Sequence, residues 1–299
     1  MPHQPKRRRK HQPMGLEILH EDRDIIVVNK TAGLLTMGTG RDGGRTAYAA
    51  LTDYVRKGNY KSHQRVFIVH RLDRDTSGAI VFARTEEAKL KLQDQWDNVE
   101  KTYLAFVEGH PDPPAGTISS HLAENRARRV YSTDNPDEGK LSHTKYKTLK
   151  TVGNRTLLEI TLVTGRKNQI RVHLADQGWP IVGDAKYGLK IRNARRLALH
   201  SHSLTFLHPY SGKELSFTAP VPDTFHLMAA APPPKSTNES NERSKNDRSK
   251  PERPKTERQK TERPKSERTK PDRPKAKKRT SKRTSKRAKN RRTKKDDRS

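Results

Sequence analysis

The sequence predicts an α+β fold, built on a mixed and largely antiparallel β-sheet with helices set irregularly between the strands. Apolar and β-branched residues fall into short runs bounded by polar turns, the pattern of strands rather than of long helices. These runs follow one another directly instead of alternating with helices, which argues against a doubly wound parallel sheet. All of the 2 Trp, 8 Tyr and 6 Phe lie between positions 11 and 234, so one core, and one domain, is expected there.

In chain order, Ile25–Asn29 (IIVVN) is a β-branched run read as a buried strand. Thr46–Lys57 places Tyr48, Leu51 and Val55 at helical spacing. Phe67–Val69 and Ala79–Ala83 read as strands on either side of the polar loop HRLDRDTSG. Glu86–Trp96 reads as a second helix, with Leu92 and Trp96 four apart. Tyr103–Val107, Thr144–Leu149, Thr156–Val163, Leu204–Leu207 and Glu214–Thr218 read as further strands. Arg166–Gln177 is a short helix with Ile170 and Leu174 on one face, ended by Gly178.

The charge is confined to particular stretches. The chain of 299 residues carries 64 Lys and Arg against 34 Asp and Glu, a net +30, so a polyanionic partner is expected. Positions 235–299 hold +18 of this, and Lys6 to Lys10 (KRRRK) another +5. The tail from 231 to 299 has almost no apolar residues and repeats with a period of five (KPERP KTERQ KTERP), which fits no helix. We expect a basic disordered leader at 1–14, a folded domain at 15–230, and a disordered Lys/Arg-rich arm at 231–299 that holds RNA non-specifically. The chain has no cysteine, which excludes disulfides, thiolate metal sites and cysteine nucleophiles. No apolar run is long enough to span a membrane as a helix, and the leader lacks the apolar stretch of a secretory signal.

Three patterns suggest chemistry and fail on closer reading. Gly38, Gly40 and Gly43 form G-x-G-x-x-G, but no acidic residue follows at the distance a dinucleotide ribose requires. His200 and His202 share a strand face without a third metal ligand at a recognisable spacing, so they are expected to be packed or to face RNA. Asp73 and Asp75 sit too close in one loop to flank a substrate as an acid–base dyad.

The loop 70–78, HRLDRDTSG, concentrates charge between two apolar strands and is the strongest candidate site. It resembles the signature loop of the RluA-type RNA pseudouridine synthases, H-R-L-D-x-x-T-S-G, at every fixed position. Five further blocks resemble that family in the same order: ILHEDRDIIVVNKTAGLL, KTYLAFVEG, GRKNQIRVHLA, PIVGDAKYG and LALHSHSLTFLHP. The departures are Thr31, where Pro is usual, and Asn168, where many members have His; neither is expected to touch a catalytic residue.

The resemblance covers about Leu16 to Pro220 and implies the pseudouridine synthase fold, with a central active-site cleft. It implies that Asp73 is the essential carboxylate, Tyr103 the active-site tyrosine and Arg171 the cation that keeps Asp73 charged and aimed. Attack on the sugar, attack on the base and help in removing a ribose proton all stay open for Asp73. It further implies that Arg71 fills the space left by a base swung out of the RNA and that Tyr103 stacks on that base. Leu72, an anchor of the loop, is counted with His70, Arg71 and Gln169 as substrate-binding. A cofactor-free, metal-free isomerase acting on rRNA or tRNA follows, expected to be a cytoplasmic monomer. The alternative is a non-catalytic RNA-binding or ribosome-assembly protein on the same fold.

Overall fold

The computed structural model describes residues 13–38, 44–188 and 196–230. Nearly all of the leader, the whole arm, Gly40 and Gly43 lie outside the described residues. The elements run β1 (Leu16–Glu21), β2 (Ile25–Lys30), α1 (Ala47–Arg56), β3 (Phe67–Ile68), β4 (Ser77–Ala83), α2 (Glu86–Asp94) and β5 (Glu100–Glu108). They continue with β6 (Ala115–Glu124), β7 (Val130–Thr133), β8 (Lys140–Val152), β9 (Arg155–Leu162), α3 (Gln169–Asp176), β10 (Leu199–Leu207), β11 (Glu214–Thr218) and α4 (Asp223–Ala230).

All eleven strands join one sheet in the order β1-β2-β4-β10-β5-β9-β8-β6-β7, with β3 flanking β4 and β11 flanking β10. The pairs are antiparallel except β4 with β10, which run parallel. The fold is thus the mixed, largely antiparallel sheet that the sequence predicts.

The central strands are apolar on both faces because the sheet is covered on both. In β2 and β4, Ile26, Val28, Ile80 and Phe82 enter one core with Leu51, Leu104, Phe106, Leu158 and Leu174. The alternate residues Ile25, Val27, Ala79, Val81 and Ala83 enter a second core with Leu92, Leu204 and Phe206. A doubly buried strand reads as a continuous apolar run, and IIVVN is one. The first two helices begin where Thr46 and Thr85 accept hydrogen bonds from the backbone N–H of Ala49 and Ala88.

Several boundaries differ from the sequence reading for definable reasons. The second helix stops at Asp94, and Trp96 belongs to a separate 3-10 turn, Trp96–Asn98, its ring stacked 4.4 Å from His70. The third helix starts at Gln169 because Asn168 takes a left-handed φ of 54°, leaving Arg166 and Lys167 in the preceding turn. Strands β6 and β7 were unforeseen. Their polar stretches, SSH and YST, offer few apolar residues to mark a strand, and their register comes from pairing with β8 and each other.

The parallel pair is the tightest place in the sheet. Gly78 has φ +117°, and a Cβ there would lie 2.1 Å from the carbonyl oxygen of Ser201. Only glycine fits, since a backbone atom cannot move aside as a side chain can. This contact brings the loop before β4 against β10, and β5 lies on the other side of β10.

Candidate active site

Asp73 lies on the loop between β3 and β4, with its side chain 28% exposed. Its carbonyl accepts from the N–H of Thr76, closing a turn, and Lys30 clamps the loop from below. Lys30 is fully buried at the end of β2, and its Nζ donates to the carbonyls of Thr31 (3.2 Å), Leu34 (2.8 Å) and Arg74 (3.1 Å). Burial pushes its pKa down to about 8, against the opposing pull of Asp75 and Asp73, while Arg196 adds to the lowering. Thr36 holds the other edge, its hydroxyl bonding the carbonyl and N–H of Leu72. The loop is therefore fixed by backbone contacts on both sides of Asp73.

A Lys30→Met variant should be less stable by on the order of 3 kcal/mol, since three backbone carbonyls lose the donor that ties them together. Urea unfolding measures this. The folded-state pKa of Lys30 lies below its ordinary 10.5, so the folded protein holds this proton less firmly than the unfolded chain does. The wild type should accordingly gain stability relative to the variant as pH rises from about 8 to 10.5. A gap that narrows over that range would contradict the burial of this ammonium.

Arg171 comes from the first turn of α3 and is nearly buried. Its Nη1 lies 3.4 Å from Asp73 Oδ2, a long contact. Its stronger partner is Asp184, which accepts from Nε at 2.7 Å and from Nη2 at 2.8 Å, a bidentate fork. Nη1 also donates to Asn168 Oδ1 at 2.9 Å. Burial works against the charge on Arg171, but Asp184, and then Asp73, hold its pKa above the ordinary value. Burial likewise opposes the charge on Asp184, yet Arg171 and the backbone N–H groups of Tyr187 and Lys186 keep that carboxyl below its usual range.

Two corrections to the sequence reading follow. Asn168 does touch a residue assigned a catalytic role, since it supplies one of the acceptors that hold Arg171. Asp184 is the residue that sequence reasoning passed over. It stands in the PIVGDAKYG block, but an acid next to Gly gives no sign that it will meet an arginine on α3.

Tyr103 is on β5, opposite Ser201 of β10 and Ile160 of β9, and is 7% exposed. Its hydroxyl meets the side chain of Ser201. The hydroxyl of Ser201 also donates to the carbonyl of Ala79 at 3.0 Å. Burial pushes the Tyr103 pKa up to about 12, partly offset by Ser201, with the charge of Asp73 adding to the rise. Arg71 is exposed, two positions from Asp73.

The other residues read as substrate-binding are engaged within the protein. His70 accepts from the N–H of Val81 and stacks on Trp96; burial, then the charge of Lys101, pushes its pKa down to about 3. Leu72 is buried. The amide of Gln169 bonds Thr164, Arg166, His143 and Thr144, which spends all its capacity on the fold. His200 is buried too, with Nδ1 on Ser77 at 2.9 Å and Nε2 facing the carbonyl of Ala219 at 3.5 Å. Asp75 pairs with Arg74 at the surface, 3.4 Å away.

Asp73, Arg171 and Tyr103 thus converge from a loop, a helix and a strand. The family model described as RNA pseudouridylate synthase matches residues 24–176. An uncharacterised RNA pseudouridine synthase of Synechocystis sp. is 37% identical over 225 residues, 73% of this chain and 69% of that protein. Ribosomal large subunit pseudouridine synthase D of Xanthomonas campestris pv. campestris is 35% identical over 237 residues, 74% of this chain and 70% of its own. The solved human RNA pseudouridylate synthase domain containing 4 shares the fold, with a TM-score of 0.58 at 24% identity over 70% of this chain and 90% of its own. With a domain-wide match of sequence and a shared fold, the chain belongs to the RluA-type RNA pseudouridine synthases, isomerases that convert uridine to pseudouridine in RNA.

Proposed function

We propose that the substrate is ribosomal RNA of the large subunit and that Asp73 carries the chemistry, with Arg171 as its fixed cation and Tyr103 as the platform for the base. The contact of a partly exposed carboxylate with a buried, doubly anchored guanidinium supports this reading most directly. The reaction breaks the N1–C1′ bond of uridine and forms a C1′–C5 bond, while C5 loses a proton and N1 gains one. Nothing is oxidised and no atom is lost, so the residues of the cleft suffice for it.

The Asp73 side chain is 28% exposed, so an extruded base can reach it, and Arg71 is the exposed side chain two positions away. Arg71 fills the gap in the RNA while Tyr103 stacks on the base. The Tyr103 hydroxyl enters the reaction protonated, because its pKa lies near 12. Removal of the C5 proton through this hydroxyl therefore needs a second acceptor, and Asp73 is the carboxylate whose charge acts on it.

The arm at 231–299 supplies non-specific affinity for a large, highly charged RNA, and the domain at 15–230 works as a cytoplasmic monomer. The choice of rRNA over tRNA is supported by relatives named as large-subunit enzymes. Mapping pseudouridines in RNA from cells with and without this gene tests it. Loss of one or more large-subunit positions is expected, and loss confined to tRNA would overturn the substrate assignment.

A further inference from the structure

A recess of about 280 Å³ opens at the end of β2 and β4 that is remote from the Asp73 loop. Asp73 precedes β4 and Arg84 follows its last residue, Ala83, so the two places are about 20 Å apart along the strand. Such a volume lies at the lower end of the range for small-molecule sites. Its walls carry Arg23 of the β1–β2 turn, Arg65 from the segment before β3, and Arg84. His63 also borders it, and Val55 of α1 and Phe67 of β3 supply apolar surface.

The three guanidiniums retain donors that the fold does not use. Arg84 is anchored through one nitrogen, Nη1, which donates to Glu21 Oε1 at 3.2 Å and to the Asp22 carbonyl at 2.9 Å. Its Nε and Nη2 have no partner among the described residues. Arg65 is exposed, with its guanidinium 5.0 Å from the centroid of the Phe67 ring. Arg23 is exposed on a turn that the Asp22 carboxylate closes, accepting from the N–H groups of Asp24 and Ile25 at 2.8 Å each.

The acids on either side of Arg23 face histidines instead. Asp22 Oδ2 lies 2.7 Å from His20 and 3.4 Å from His208, and Asp24 Oδ2 lies 3.8 Å from His208. Among the described residues, neither Arg23 nor Arg65 forms an ion pair. The segment carrying His63 and Arg65 is tied to α1, where Arg56 Nε donates to the Gln64 carbonyl at 3.0 Å. The N–H of Ser62 closes a turn on the carbonyl of Asn59, also at 3.0 Å.

Three arginines against the one carboxylate paired with them, Glu21, leave this recess a charge of +2. Cations set around one space repel, and an anion between them relieves that repulsion. A phosphomonoester carries about −1.5 to −2 at neutral pH, and its terminal oxygens match the paired donors of a guanidinium. The phosphodiesters of an RNA strand carry a single charge each.

We propose that this recess binds a small phosphomonoester dianion, a mononucleotide or smaller, apart from the reaction cleft. The phosphate lies among Arg23, Arg65 and the unused edge of Arg84, with the organic part toward Val55 and Phe67. This site does not depend on the substrate assigned above, and its occupancy is read without turnover.

Calorimetric titration of the full chain with adenosine 5′-monophosphate, whose base is no substrate of the cleft, is the test. Adenosine and the phosphodiester adenylyl-(3′→5′)-adenosine serve as controls. The monoester should bind with a Kd of about 0.1 mM or tighter, and at least about tenfold more tightly than either control. Arg23→Gln/Arg65→Gln should weaken it about a hundredfold, or about tenfold for each arginine. Lys145→Gln/Lys150→Gln removes the same charge from exposed positions of β8 and should change Kd by about twofold at most at physiological salt.

Circular dichroism confirms that each variant is folded; if the first double variant is not, the single Arg23→Gln, on an exposed turn, decides. No binding by wild type, or equal weakening by the two double variants, would overturn the site. So would adenosine or the diester binding as tightly as the monoester, the diester result pointing to an RNA strand in its place.

Discussion

Asp73→Asn should fold, bind RNA as the wild type does, and form no measurable pseudouridine. Asparagine keeps the shape of the side chain and its contact with Arg171 through the amide oxygen. The backbone contacts that shape the loop, Lys30 to Arg74 and Thr36 to Leu72, do not involve the carboxylate at all. Attack on the sugar, attack on the base and acceptance of a proton each require the negative charge that the amide lacks. Turnover should drop by a factor of about 1,000 or more, the range seen when a group that acts covalently or as a base is removed. Tritium release from C5-labelled uridine measures it, with RNA binding followed in parallel. A folded variant that kept a tenth of wild-type turnover would remove Asp73 from the mechanism.

The second large effect is expected at Asp184, which touches no substrate in this scheme. In Asp184→Asn the amide NH2 would face the Nε–H or Nη2–H of Arg171, donor against donor, and a buried guanidinium would lose its counter-charge. Breaking one side of a buried ion pair costs about 3–5 kcal/mol, and the contacts with Asn168 and Asp73 should keep the loss near the lower figure. Turnover should fall about 100-fold, because Arg171 would no longer be held in place beside Asp73.

The pH dependence separates this role from simple weakening of the fold. Asp184 has a folded-state pKa below its ordinary 3.8, so its contribution to stability is present above pH 3.8 and fades as pH falls through the folded value. The stability gap between wild type and variant should be full at pH 7 and close in acid. A gap that persists unchanged at pH 2 would mean that the carboxylate's charge does not hold Arg171.

How much of this was legible in the sequence depended on whether each feature is local. IIVVN and the first two helices are local patterns, and each begins and ends within two residues of where the sequence places it. The HRLDRDTSG loop was recognisable because its residues are contiguous. Asp184 and Ser201 were missed because each acts on a partner brought to it by the sheet or by α3, which no spacing encodes. Gln169 and His70 lie beside implied catalytic residues in the chain, yet their polar atoms face inward to Thr144 and Val81. Adjacency in sequence said nothing about direction. The β6–β7 hairpin escaped because a charged tip such as ENRARR reads as loop, and its strands draw their register from β8.

The position of β10 has a consequence for the order in which the molecule matures. This strand, among the last to be synthesised, lies between β4 and β5. Until it inserts, the chain can form only two separate partial sheets, β1-β2-β4 with the Asp73 loop and β5-β9-β8-β6-β7 with Tyr103 and Arg171. Each would show an unpaired inner edge, which invites association with other chains. The contacts that join them span from 94 residues (Leu199 to Ala105) to 123 (His200 to Ser77), so their closure is slow compared with hairpin formation. A nascent chain still on the ribosome therefore remains catalytically silent until residues beyond Leu207 have emerged, and β10 acts as the keystone that converts two halves into an enzyme in one late step.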